Sequence, residues 1–364
     1  MSQLIQCTNC RLAYPQQGVP FRCPKCGGIF DAVELPNFDL LQVERDQPGI
    51  WRYHHALGLS AGAPVVSLGE GNTPLVWGQA FGHPVAFKLE FLNPTGSYKD
   101  RGSAVLASFL KDQGVSQAIE DSSGNAGASF AAYAARSGLQ AQVFVPESAS
   151  GPKRRQIEAY GAQVRPIPGP RAAAAESALE AAAAGAVYAS HAYLPQLLPG
   201  YATLAYEVVE QLGEAPGTLV VPAGQGNLLL AAGRGFLALR RAGLIQNLPR
   251  LVGVQARACA PLWAVFEYGA AGLMWVSEGE TLAEGVRVKH PMRGDAVLQL
   301  VRSTNGEFCV VDEAEILPGR DQLARQGFYV EPTTAIVWSA VGQIIDRTPS
   351  PVVAILTGSG LKTG

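Results

Sequence analysis

Asn93-Pro94-Thr95-Gly96-Ser97-Tyr98-Lys99-Asp100-Arg101-Gly102 sets one lysine just beyond a turn rich in Pro and Gly and just inside an expected helix. Ser97 and Asp100 stand three apart, the spacing of a capping box, which puts Lys99 in the first turn of a helix running from about Ser97 to Gly114. A lysine presented there is a candidate nucleophile in its free-amine form, because a neutral amine attacks a carbonyl and an ammonium does not. Read alone, the stretch describes a surface lysine beside a charged pair equally well. Its meaning depends on what the chain places around it.

Outward from this stretch, helices and strands alternate. Val65-Val66-Ser67-Leu68 reads as a short strand followed by a turn, and Val85 to Glu90 as a second strand leading into the lysine segment. Downstream, helices are expected at 125–137, 152–160, 171–184, 201–212, 227–241 and 332–345. The strands between them fall near 118–119, 141–146, 162–166, 186–189, 218–221, 250–255 and 351–357. Residues 257–320 carry no clear pattern. Alternation over this length implies an α/β fold of two doubly wound domains with mainly parallel sheet and a ligand cleft between them. The boundaries read as 1–36 for a cysteine unit, 37–105 with 200–364 for a larger domain, and 106–199 for a smaller one.

Three further segments share one design, in which an apolar strand ends in a small-residue turn at a helix start or chain end. That geometry aims backbone N–H groups, and at a helix start its dipole, at an anion. Asp121-Ser122-Ser123-Gly124-Asn125-Ala126-Gly127 suits a carboxylate, with hydroxyl and amide donors, or is an ordinary helix cap. Pro222-Ala223-Gly224-Gln225-Gly226-Asn227 suits a phosphate. It lacks the third-glycine spacing of a dinucleotide loop and the Gly-Lys-Ser/Thr of a Walker loop. Leu356-Thr357-Gly358-Ser359-Gly360 holds hydroxyls at the end of a buried strand, or simply closes a domain.

Composition bounds the partners. The 364 residues are 48% hydrophobic and 16% charged, with net charge −2, which favours neither nucleic acid nor an anionic membrane as the main partner. No apolar run reaches the length of a membrane span, and no basic-then-apolar leader opens the sequence, so a cytoplasmic location is expected. Four of the six cysteines, Cys7, Cys10, Cys23 and Cys26, form two C-x-x-C pairs twelve residues apart. That spacing fits a zinc-ribbon-like tetrahedral site, closed by four thiolates and so structural; unmetallated thiols or disulfides are the alternative.

A lysine, a carboxylate loop, a phosphate loop and a terminal hydroxyl form one set. Together with Glu331-Pro332-Thr333-Thr334-Ala335 and Leu361-Lys362, they make the chain similar, over nearly its whole length, to the fold-type II family of pyridoxal-phosphate enzymes. That family includes threonine synthases, serine and threonine dehydratases and cysteine synthases, and the threonine synthase group resembles this chain most. The resemblance implies that Lys99 bonds the cofactor and shuttles the substrate Cα proton, and that Asn125 meets the cofactor's ring hydroxyl. It gives the cofactor phosphate to Ala223, Gly224, Gln225, Gly226 and Asn227, and the pyridine nitrogen to Thr357, with Ser359 second. It gives the substrate to Ser122, Ser123, Gly124 and Thr95. A hydroxyl at the ring nitrogen weakens the electron sink and favours elimination or replacement over transamination. A homodimer is implied as well.

The sequence departs from the family around Tyr193 to Thr203. There leucines and an alanine stand where cationic side chains for a substrate phosphate would be sought. Lys153, Arg154 and Arg155 could compensate. The expected activity is a phosphate-releasing lyase acting on O-phospho-L-homoserine. β-Elimination from serine or threonine, or β-replacement, is the alternative, and a non-catalytic zinc-ribbon binding protein is a rival from another class.

Overall fold

The computed structural model describes residues 5–32, 34–149 and 151–363, so the expected cysteine unit is described from Ile5 onward, residue 33 excepted. In chain order the strands and helices begin with β1 (Ile5–Cys7), β2 (Phe30–Ala32), β3 (Leu75–Ala80), β4 (His83–Lys88) and α1 (Lys99–Asp112). Next come β5 (Gln117–Glu120), α2 (Asn125–Ser137), β6 (Gln140–Pro146), α3 (Pro152–Ala159), β7 (Gln163–Ile167) and α4 (Arg171–Ala183). After these run α5 (Leu198–Leu212), β8 (Thr218–Pro222), α6 (Asn227–Arg241), β9 (Arg250–Ala256), α7 (Pro261–Tyr268) and α8 (Gly294–Ser303). The chain closes with β10 (Glu307–Val311), α9 (Glu313–Arg325), α10 (Pro332–Ile344) and β11 (Val352–Ile355). None of the described helices is long and apolar enough to cross a membrane.

Two compact units result. The first holds residues 1–71, 93–201 and 362–364; the second holds 72–92 and 202–361. The expected boundaries are corrected on two segments. Residues 37–71 and 93–105 belong with the first unit, because Ile50, Trp51, Leu57 and Val66 bury against Ala104 and Val105 of α1 and Tyr133 of α2. Trp51 Nε1 and Tyr133 Oη both donate to Glu70, at 2.6 Å each, and fasten the lead-in segment there.

In the first unit, β1 and β2 pair antiparallel to make the small cysteine-bearing ribbon. The main sheet is parallel in the order β5-β6-β7, and an isolated parallel bridge from Tyr188 to Ile119 extends it beside β5. α1 packs on α2, and glycine allows α1 and the start of α5 to touch closely. A Cβ on Gly102 would lie 2.5 Å from the Tyr201 ring, and one on Gly200 would lie 2.1 Å from the Arg101 carbonyl oxygen.

The second unit is built on a six-stranded sheet, β10-β9-β8-β11-β4-β3, parallel except for β3. Ile336, Val337, Ala340, Val341 and Ile344 of α10 share one core with Val252 and Val254 of β9. Between those valines Gly253 points the other way, toward Leu229 of α6, so α6 and α10 cover opposite faces. Such a doubly covered sheet explains the unbroken apolar run of β8.

Two strand assignments differ from expectation. Val65–Leu68 is not a strand: only Val66 is buried, its N–H donating to Ser108 Oγ, while Val65 and Leu68 face solvent. The sheet partner is instead β3, joined to β4 through Phe81-Gly82. Both turn residues have positive φ, 52° and 81°, the requirement of a type I′ hairpin turn. The unpatterned stretch 257–320 supplies α7, α8, β10 and most of α9.

Candidate active site

Lys99 opens α1, but not through a capping box. Ser97 Oγ is buried with no hydrogen-bond partner among the described residues, and Tyr98, the residue before the helix, offers no side-chain cap. The Asp100 carboxylate turns away, accepting from Thr95 N and Thr95 Oγ1, at 2.6 Å each, and from Ser129 Oγ at 2.6 Å. Burial pushes the Asp100 carboxyl up to about 6 against the pull of those bonds. Lys362 Nζ and Gln156 Nε2 both donate to the Thr95 carbonyl oxygen. Thr95, expected to face substrate, therefore pins the turn that presents Lys99: it is 2% exposed and its hydroxyl is committed to Asp100.

Lys99 Nζ lies 4.7 Å from the Tyr98 ring centroid and 5.8 Å from that of Tyr201. It makes no hydrogen bond or ion pair among the described residues. The Tyr201 hydroxyl is also buried without a hydrogen-bond partner among them, and burial raises its pKa well above the ordinary tyrosine value.

The loop 121–127 leads from the C-terminal end of β5 into α2. Gly127 is required there, since a Cβ would sit 1.8 Å from the Ser122 carbonyl oxygen. Ser122 Oγ accepts from Gly124 N at 3.2 Å; Ser123, Gly124 and Asn125 keep partial exposure at the helix start. The structure brings three residues to this loop that the sequence did not single out. His191 Nδ1 meets Glu120 Oε1, Asp121 N donates to Glu120 Oε2 at 2.5 Å, and Tyr188 Oη donates to Asp121 Oδ1 at 2.8 Å. Burial raises the Glu120 carboxyl and pushes Asp121 up to about 6, the latter helped by Glu120's charge. His191 is pushed down to about 3 by burial and by the positive charge of Lys99, so it is neutral near pH 7. Two acids at the C-terminal end of a buried parallel strand were the available signal. Their histidine, 71 residues away, was not readable.

In the second unit, β8 ends in Ala223–Gly226, and α6 starts at Asn227 after Gly226 in the left-handed conformation, φ 75°. The first-turn amides of a helix have no intrahelical acceptor, which leaves this turn of α6 suited to an anion. Gln255 Nε2 donates to Ala223 O at 2.9 Å, and Gln225 Oε1 accepts from Met292 N. Gly224 has no room for a side chain, as a Cβ would lie 2.7 Å from the Gly285 carbonyl oxygen. Thr357 follows β11, 3% exposed, with its Oγ1 2.9 Å from Thr334 Oγ1; Thr334 Oγ1 in turn accepts from Gly358 N at 2.8 Å. Ser359 Oγ is turned to Leu361 N.

The four N-terminal cysteines converge. Cys7 and Cys26 sulfurs are 3.5 Å apart, Cys10 and Cys23 are 3.6 Å apart, and all four lie within 4.8 Å of one another. Four thiolates around zinc at about 2.3 Å would sit about 3.8 Å apart. The tight turns Cys7 to Arg11 and Cys23 to Gly27 close with N–H donation back to the first cysteine's carbonyl oxygen. The donor set fits a closed tetrahedral ion.

An amine without a hydrogen-bonding or ion-pairing partner at one helix start, a small-residue loop at the next, and an anion loop with a seated threonine define a cofactor-dependent enzyme of the α/β class. The chain belongs to the pyridoxal-phosphate dependent enzyme family, whose pattern matches residues 66–358, and it has the fold type II architecture. It is 32% identical to a threonine synthase of Methanocaldococcus jannaschii over 99% of this chain and 93% of that protein. It is 36% identical to a threonine synthase of Synechocystis over 85% of this chain and 82% of the relative. Among solved structures, a bacterial threonine deaminase superposes with TM-score 0.68 at 26% identity, covering 79% of this chain and 92% of its own.

Proposed function

We propose that the enzyme converts O-phospho-L-homoserine and water to L-threonine and phosphate. The observation that carries this reading is the run of relatives named threonine synthase, 28–36% identical over most of the chain. Pyridoxal phosphate supplies the electron sink that makes the substrate Cα proton acidic. Lys99 Nζ would bond the cofactor's aldehyde carbon and, once displaced by the substrate amine, remove the Cα proton and later return one. Asn125 would orient the cofactor through its ring hydroxyl, and Ser122, Ser123 and Gly124 would hold the substrate carboxylate. Ala223, Gly224, Gln225, Gly226 and Asn227 would bind the cofactor phosphate with the α6 N–H groups. Thr357, seated by Thr334, would meet the ring nitrogen, with Ser359 second. The balanced outcome breaks the Cγ–O bond to phosphate and places the water hydroxyl on Cβ.

Zinc in the cysteine site would be structural, and the working form a homodimer. A second reading, dehydration of serine or threonine, is favoured by the segment 193–203. Tyr193, Leu194, Leu197 and Leu198 there are core residues, and Arg154 is already engaged with Glu158 and Ala149 O. Purified holoenzyme given O-phosphohomoserine, serine and threonine in parallel separates the two. Phosphate release with threonine formation supports the first reading. A 2-oxo acid from serine or threonine, without threonine formation from the phosphorylated substrate, replaces it with the second.

A further inference from the structure

The cysteine unit lies against the residues that hold the 121–127 loop. Phe21 and Arg22 immediately precede Cys23, in the segment between the two cysteine pairs. The Phe21 ring meets Tyr188 and Tyr193 edge-on, at centroid distances of 5.3 Å each, and those tyrosines touch each other at 5.9 Å. Arg22 Nη2 donates to the Tyr193 hydroxyl at 2.9 Å, with its guanidinium carbon 5.2 Å from that ring's centroid. Tyr188 is 2% exposed; its flanking backbone pairs with Ile119, and its hydroxyl donates to Asp121, the residue before Ser122. A continuous line of packed groups thus runs from a metal-ligand turn to the small-residue loop.

We propose that the Phe21-Arg22 pair is a positioning element for the 121–127 loop, and that the cysteine site sets substrate affinity by holding that pair in place. A buried carboxylate such as Asp121 takes its orientation from the donors it finds, and Tyr188 is one of them. Tyr188 in turn is fixed by two rings, one of which the ribbon supplies. The ribbon itself has only two three-residue strands, too few to hold a shape alone, so its order depends on the ion that closes the four thiolates. The cofactor-binding residues proposed in the second unit stand outside this line, so the effect falls on substrate binding and not on cofactor binding. This inference rests on the reading of Ser122–Gly124 as the substrate-carboxylate loop.

The test compares holoenzyme carrying Phe21→Ala or Tyr188→Phe with the parent, and parent treated with a zinc chelator. Three readouts are taken: cofactor absorbance, steady-state kinetics on O-phosphohomoserine, and hydrogen exchange of the peptide 117–127. Tyr188→Phe keeps the ring cluster and removes one buried hydrogen bond of roughly 1 kcal/mol, so KM should rise about fivefold. Expected with it are kcat within about twofold, unchanged cofactor absorbance, and faster exchange confined to 117–127. Phe21→Ala and zinc removal should reproduce that pattern and add little when combined with Tyr188→Phe, since all act along one line. The proposal is overturned if exchange at 117–127 is unmoved by Phe21→Ala, if exchange rises evenly over the first unit, or if the effects simply add. Should the parent not turn over O-phosphohomoserine, the substrate reading fails, and the exchange comparison alone still decides the positioning role.

Discussion

Two lysines of this chain end up in opposite circumstances. Lys88, the last residue of β4 in the second unit, is completely buried. Its ammonium donates to Thr73 O at 2.6 Å, Glu207 Oε2 at 2.8 Å and Gln211 Oε1 at 2.9 Å. Three protons meet three acceptors, and the opposing Glu207 is further tied down by Asn72 N. Lys99, only eleven residues on, lies against two tyrosine faces with no hydrogen bond or ion pair among the described residues. Saturation marks a charge kept for structure, whereas an amine left without an acceptor is kept for chemistry.

The largest effect expected of this comparison is on Lys99. Lys99→Ala should lower turnover by roughly a hundredfold to ten-thousandfold, the span of a lost positioned acid–base group. Borohydride should then fix no cofactor on the peptide holding residue 99, while the thermal midpoint moves little. Cofactor trapped instead at residue 88 would reverse the two assignments. Lys88→Met is the complementary break. It strands Glu207 in the core, so the urea midpoint should report a loss of about 3–5 kcal/mol, and Lys88→Met/Glu207→Leu should regain most of it. A Lys88→Met protein of native stability would show that saturation is not what holds that lysine in place.

The same pair shows how far the sequence could be read. Lys99 and the loops at 122–127 and 223–227 were legible because their chemistry is local: small residues and a helix start within ten positions. Lys88 gave no signal, because its acceptor Glu207 comes from α5, 119 residues later. His191 and Tyr188 were hidden for the same reason, as was Thr334 under Thr357. The capping box misled since Asp100 found better donors in Thr95 and Ser129 than in the N–H of Ser97. β3 was missed because its apolar and polar residues do not alternate cleanly, and its Phe-Gly turn is not the usual Asn-Gly.

Titration sharpens the contrast next. His191, held near 3 where an unfolded histidine titrates near 6.5, contributes stability that is complete above 6.5 and is lost as pH falls toward 3. Asp100 and Asp121, raised to about 6, act in the other sense: their contribution is complete below the unfolded carboxylate value and is lost as pH rises through about 6. The parent curve mixes the two, but its difference from His191→Gln isolates the histidine. Between pH 6 and 4 the parent should lose up to about 1.4 kcal/mol per pH unit more than the variant, and above pH 7 the two slopes should coincide. Parallel stability curves across that window would show that His191 is not held neutral.

The smallest effect concerns Tyr201, and it bears on why the surroundings of Lys99 are left incomplete. A buried hydroxyl without a partner costs on the order of 1 kcal/mol, so a fold selected for stability alone would carry phenylalanine there. Gly102 gives up a side chain to admit the ring, and the ring lies beside the Lys99 amine. If the hydroxyl serves the reaction, Tyr201→Phe should leave the urea midpoint unchanged or raise it by up to about 1 kcal/mol, while kcat/KM falls several-fold. A variant that gains stability and keeps full kcat/KM would make the orphaned hydroxyl a packing accident. The contrast with Lys88 would then rest on the amine alone.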